Sequence, residues 1–96
     1  MHARVTVLSG SSADVEAGIE DFRQSVVPFA KEHGKGAILM VDRGTGKAVA
    51  ITLWQDEQAL KASEERANAL RKDVSQLMGA ADQPTVERFE VAVFEV

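Results

Sequence analysis

The chain has no cysteine and no tyrosine among its 96 residues, and only two prolines, one tryptophan and two histidines. Without cysteine there are no disulfides, thiolate metal ligands or thiol nucleophiles. Neither His2 nor His33 has another ligand type at helical spacing on its face. A metal site needs several converging ligands, so none is expected. No apolar run approaches the roughly 20 residues of a membrane span. Met1 leads directly into a strand, without the basic region and apolar core of a signal peptide, so a cytoplasmic protein is expected. The net charge of −4 disfavours nucleic acid, because no run of basic residues offsets it.

What is present is a regular order of periods. Residues 2–8, 36–43, 47–54 and 85–95 read as strands, and 12–33 and 56–78 as amphipathic helices. That βαββαβ order predicts an α+β, ferredoxin-like domain over residues 1–96: a four-stranded antiparallel sheet with both helices on one face. A chain of this size buries only about 60–65% of its unfolded surface, so burial against a partner would help it.

Local signals refine the plan. Ser11 and Asp14 have capping-box spacing. The first helix carries Val15, Ile19, Phe22, Val26, Phe29 or Ala30, and His33 on one stripe. Pro28 interrupts it, which predicts a kink or a break into two segments. Gly34 and Gly36 end it. Gly44-Thr45-Gly46 reads as a hairpin turn between strands. It fails as a phosphate loop: the spacing lacks an earlier glycine, Ala48 replaces the hydroxyl residue, and no helix follows. Asp56 is a good N-cap for the second helix, whose stripe runs through Leu60, Ser63, Ala67, Leu70, Val74, Leu77 and Met78, with Gly79 as the stop. Glu64 and Glu65 are assigned to its solvated side.

The segments 37–41 and 48–51 are apolar on both strand faces. Two helices cover one face, and no third layer exists in the chain to cover the other. A second copy of the sheet, face to face, is the economical cover, so a homodimer is expected.

Polar residues punctuate the strands: Arg4, Thr6, Asp42, Thr52, Arg88 and Glu90. Any that point inward need partners, and an Arg4–Glu90 pair is one possibility. Ser63 is the one polar member of the second helix's inner stripe, fit to line a cavity or simply to pack. His33 is either a polar anchor at a pocket mouth or a dipole partner at a helix end. Trp54 either stacks on a planar ligand or closes the end of the core.

The runs Gly36-Ala37-Ile38-Leu39-Met40-Val41-Asp42-Arg43 and Ile51-Thr52-Leu53-Trp54-Gln55-Asp56-Glu57-Gln58-Ala59-Leu60 resemble the antibiotic biosynthesis monooxygenase group of dimeric α+β barrels. The resemblance implies a homodimer with a cavity between each sheet and its helices. It also implies chemistry without metal or flavin, in which a deprotonated aromatic substrate reduces oxygen. Trp54 is the position that carries over. The first strand has no asparagine, the second helix has no histidine, and Ser63 stands where the heme-degrading branch has a second tryptophan, so heme degradation is not expected. The quinone-forming branch uses Asn, Trp and Tyr; here tyrosine is absent and Ala50 stands where an asparagine would be. The expected ligand is a hydrophobic aromatic small molecule, contacted by Trp54, Arg4, Thr6, Thr52, His33, Phe22 and Ser63. The alternatives are a non-catalytic binding or accessory dimer and a polyketide cyclase or isomerase.

Overall fold

The computed structural model describes residues 1–77, 79 and 83–96. Four strands, β1 (His2–Ser9), β2 (Gly36–Asp42), β3 (Lys47–Trp54) and β4 (Thr85–Glu90), form one antiparallel sheet in the order β2-β3-β1-β4. The helical segments are α1 (Val15–Asp21), α2 (Val27–His33), α3 (Glu57–Ala62) and α4 (Glu64–Leu77). This is the ferredoxin-like arrangement that the alternation of periods predicts.

Register decides which side chains meet the helices. Arg4 lies opposite Thr52, Thr6 opposite Ala50, and Leu8 opposite Ala48. Leu39 continues the Ala50 row on β2. Because strand side chains alternate, these residues share one face. That face carries the core, in which Leu8 and Ala48 pack with Val15, Phe22 and Val26 of the first helical layer and Leu70 and Val74 of α4. The other face holds Val5, Val7, Val49 and Ile51, flanked by Ile38, Met40 and Phe89, which remain 42%, 49% and 48% exposed. The doubly apolar strands thus have a filled face and an open one.

The prolines and glycines act locally. The first helix is divided into two α-helical segments, α1 and α2, as expected, with the division lying before Pro28. A π-helical stretch, Phe22–Val26, joins α1 to α2, and the amide of Val27 donates to the Phe22 carbonyl five residues back. Pro28 then falls in the first turn of α2, where a missing N–H costs little. Gly34 closes that helix in extended backbone. A Cβ there would lie 2.5 Å from the Leu53 carbonyl oxygen, so close approach to β3 requires glycine. In the β2–β3 turn Asp42 Oδ1 accepts from the amides of Gly44 and Thr45 at 3.0 and 3.3 Å, and Gly46 adopts φ +82°.

Three local expectations change. Ser11 Oγ accepts from Ala13 N at 3.2 Å, but it caps a short 3-10 turn, Ser12–Asp14, and the Asp14 carboxylate accepts no bond from Ser11 N among the described residues. The second helix divides at Ser63 into α3 and α4, and residue 78 lies outside the described residues. The last strand ends at Glu90, not at 95, and Val91 N donates to Met1 O at 2.8 Å. Val93 and Phe94 stay 76% and 54% exposed.

Candidate functional site

The sheet and the helices do not close completely on each other. Between β1, β3 and α4 lies a cavity of about 50 Å³, bounded by Leu8, Phe22, Val26, Phe29, Leu70 and Val74, with Ala50 and Ala67 as small floor residues. Those alanines make the space. Its polar lining is Arg4, Thr6, Thr52 and Arg71.

Arg4 is 3% exposed on a strand otherwise built of apolar and hydroxyl residues. Burying a guanidinium is costly without partners, and its Nη2 has three. It donates to the Leu60 carbonyl at 2.9 Å, to Ser63 Oγ at 2.9 Å and to Glu64 Oε1 at 3.0 Å. The break between α3 and α4 serves this contact, because it turns the Leu60 carbonyl and the Ser63 hydroxyl toward β1. Ser63 Oγ also donates to the Leu60 carbonyl at 2.7 Å. The Arg4 guanidinium carbon sits 5.6 Å from the Trp54 ring centroid, a cation–π contact in a dry setting.

Trp54 is fully buried, and its indole N–H donates to Thr52 Oγ1 at 3.0 Å. Phe29 meets it edge-on at 5.6 Å between centroids. Trp54 therefore backs two cavity residues, Arg4 and Thr52, from behind. It does not line the cavity itself. With Phe29, His33, Ser63 and Arg66 it borders a separate outer depression. His33 is 58% exposed there. Of the seven residues singled out from sequence, Arg4, Thr6, Thr52 and Phe22 meet in the cavity. Ser63 holds Arg4, Trp54 stands behind it, and His33 lies apart.

The ion pairing differs from expectation. Arg4 pairs with Glu64, not Glu90, because the register places Arg88 beside Arg4 and puts Glu90 opposite His2. Glu64 is therefore not a solvated residue. It is 27% exposed and bridges two strands' arginines: Arg88 Nε and Nη2 donate to its Oε1 and Oε2 at 2.6 and 2.8 Å. The Arg88 bonds, with Arg4 adding to them, pull the Glu64 pKa from 4.5 down to about 2 against the opposing effect of burial. Burial pushes Arg4 down from the usual arginine value, with Glu64 opposing.

Arg71 was not among the residues singled out from sequence. Burial lowers its pKa, and the charge of Arg4 adds to the effect. The signal was present. Arg71 lies four residues after Ala67, and Glu64 four after Leu60, so both fall at stripe spacing. Their charge argued for the outside, yet the sheet beneath supplied an arginine and a cavity. Among the described residues no three His, Asp or Glu side chains gather as a metal site, and no helix is long and apolar enough to cross a membrane.

No family model matches the chain. The uncharacterized protein Rv2557 of Mycobacterium tuberculosis (strain ATCC 25618 / H37Rv) is 30% identical over 94 residues, which is 96% of this chain and 41% of that protein. The chain thus spans about two fifths of the length of the curated relatives it matches. A monooxygenase from the gene ActVA-Orf6 of Streptomyces coelicolor, solved with the ligand Nanaomycin D, superposes with a TM-score of 0.75 at 18% identity, covering 99% of this chain and 92% of that one. An antibiotic biosynthesis monooxygenase structure from Nitrosomonas europaea gives 0.74 at 11% identity, over 95% and 89%. A dimeric ferredoxin-like protein from an uncultured marine organism gives 0.71 at 6% identity, over 99% and 90%. The likeness read from the strand–helix motif around Trp54 therefore holds at the level of architecture: the chain has the ferredoxin-like fold of the antibiotic biosynthesis monooxygenase structures.

Proposed function

We propose that the protein is a homodimer that binds a hydrophobic small molecule in the cavity between the sheet and helices of each protomer. The observation that carries this reading is the cavity itself, an apolar chamber into which four polar side chains converge. The Streptomyces coelicolor monooxygenase of the same fold was solved with the ligand Nanaomycin D, and with the family resemblance this makes cofactor-independent oxygenation of an aromatic substrate the chemistry to test first. The open sheet face, with Ile38, Met40 and Phe89, supports pairing of two copies, and a neighbour of this fold is described as dimeric.

The lining also favours a second reading. Among the described residues, the ionisable side chains of the cavity are Arg4 and Arg71, and no carboxylate, histidine or tyrosine is there to abstract a proton. Arginines stabilise negative charge but do not act as bases at neutral pH. A non-catalytic binding dimer meets that chemistry without a base.

Anthrones, quinones and smaller aromatic rings, titrated while oxygen uptake and tryptophan emission are recorded together, separate the two readings. Saturable emission change with oxygen consumption supports the oxygenase. Saturable change without consumption supports the binding dimer. No saturable change with any ring overturns both.

A further inference from the structure

The charges around the cavity do not balance. Arg4 and Arg88 both donate to one carboxylate, Glu64, and Arg88 already engages both of its oxygens. Arg71 makes no ion pair among the described residues; its Nη1 donates to Asn68 Oδ1 at 2.6 Å. Two guanidinium nitrogens are buried with no hydrogen-bond partner among the described residues: Arg4 Nε and Arg71 Nη2. Both belong to side chains that line the cavity. A buried, unsatisfied donor on a charged group is expensive, and one such donor on each of two neighbouring cations is more so.

We propose that the cavity takes a compact aromatic carboxylate, its oxyanion held by the unpartnered nitrogens of Arg4 and Arg71 and its ring packed among Leu8, Phe22, Leu70 and Val74. This rests on the cavity being the ligand site. Two unpartnered donors match the two oxygens of one carboxylate. A phenol ordinarily carries no charge at neutral pH, and a carboxylate does. Size points the same way. A cavity of about 50 Å³ lies far below the roughly 300–1,000 Å³ of sites that enclose drug-sized molecules, so one ring fits the space with far less displacement of α4 than three fused rings. Thr52 lies opposite Arg4 across the β1–β3 pair and Thr6 two residues along β1, and both hydroxyl residues line the cavity.

The experiment compares ligands of one shape and different charge. Benzoate, benzamide and phenol are titrated by calorimetry into the full chain and into Arg71→Gln. Arg71 is the variant of choice because Arg4 also ties β1 to both segments of the second helix, so its loss threatens the fold. The expected result is benzoate binding about tenfold or more tighter than benzamide or phenol, as charge-assisted hydrogen bonds predict, with that preference lost in Arg71→Gln. The Arg71 side-chain N–H resonances should shift with the same benzoate affinity. Equal binding of all three rings overturns the anion site and leaves the cavity as a ligand site. A benzoate preference that survives Arg71→Gln unchanged also overturns it. Binding of none of them overturns the anion site and the cavity reading together.

Discussion

Glu64 accepts from arginines of two strands, so removing its charge leaves Arg4 buried without a counter-ion, with only neutral acceptors at the Leu60 carbonyl, Ser63 and the side-chain amide as partners. Glu64→Gln should therefore destabilise the protein by about 2 kcal/mol in urea unfolding, less than for a buried charge stripped of every partner. The pH dependence has a definite sign. The folded pKa, about 2, lies below the ordinary 4.5, so the contribution is full above about pH 4.5 and is lost as pH falls toward 2. Urea midpoints taken down that range should fall more steeply for the natural sequence than for Glu64→Gln; parallel curves would show that Glu64 is not held this way. Trp54→Phe should cost about 1–2 kcal/mol in the same assay, through the lost bond to Thr52 and the weaker cation–π contact. Because Trp54 stands behind the cavity wall, benzoate binding should change less in that variant than in Arg71→Gln.

Among the elements, the helical layer over β2 and β3 makes the sharpest demands. Gly34→Ala would force a Cβ to 2.5 Å from the Leu53 carbonyl, so a loss of roughly 2–3 kcal/mol in thermal or urea unfolding is expected. Pro28→Ala should change stability by less than about 1 kcal/mol, because the π-helical stretch already places residue 28 where no donor is needed. These two positions show how the sequence could be read and where it stopped. The strands, the turn at Gly44-Thr45-Gly46 and the stripes were visible, since burial on one face writes a period into the chain. How the helix absorbs Pro28 was not visible, because a π turn depends on which carbonyl lies free, and periodicity does not record that. Sheet order decided the rest. With β1 between β3 and β4, Arg88 became Arg4's neighbour, and α4 had to supply the carboxylate. Arg4, Thr6, Thr52 and Phe22 were legible as candidates from polarity or stripe position. Arg71 was not, because a charged residue at stripe spacing is assigned to solvent unless the opposite wall is known.

For the molecule as a whole, one sheet face carries the helices and the other carries an apolar surface wide enough to need a cover. Met40→Glu and Ile38→Glu place a charge on that surface without touching the cavity or the core. Each should convert the proposed dimer to a monomer by light scattering at micromolar concentration, while circular dichroism stays unchanged. A natural chain already monomeric at that concentration would remove the dimer from the account and leave the cavity in place.

The central claim is that ligand enters between the sheet and the helices. Methyl-labelled protein titrated with benzoate and followed by NMR tests it most directly. Leu8, Val26, Leu70 and Val74 line the cavity, while Ile38, Val5 and Ile51 lie on the opposite sheet face. The account predicts saturable shifts at the first four and little change at the other three. Shifts confined to the open face, or no saturable shift at the cavity methyls, would contradict it.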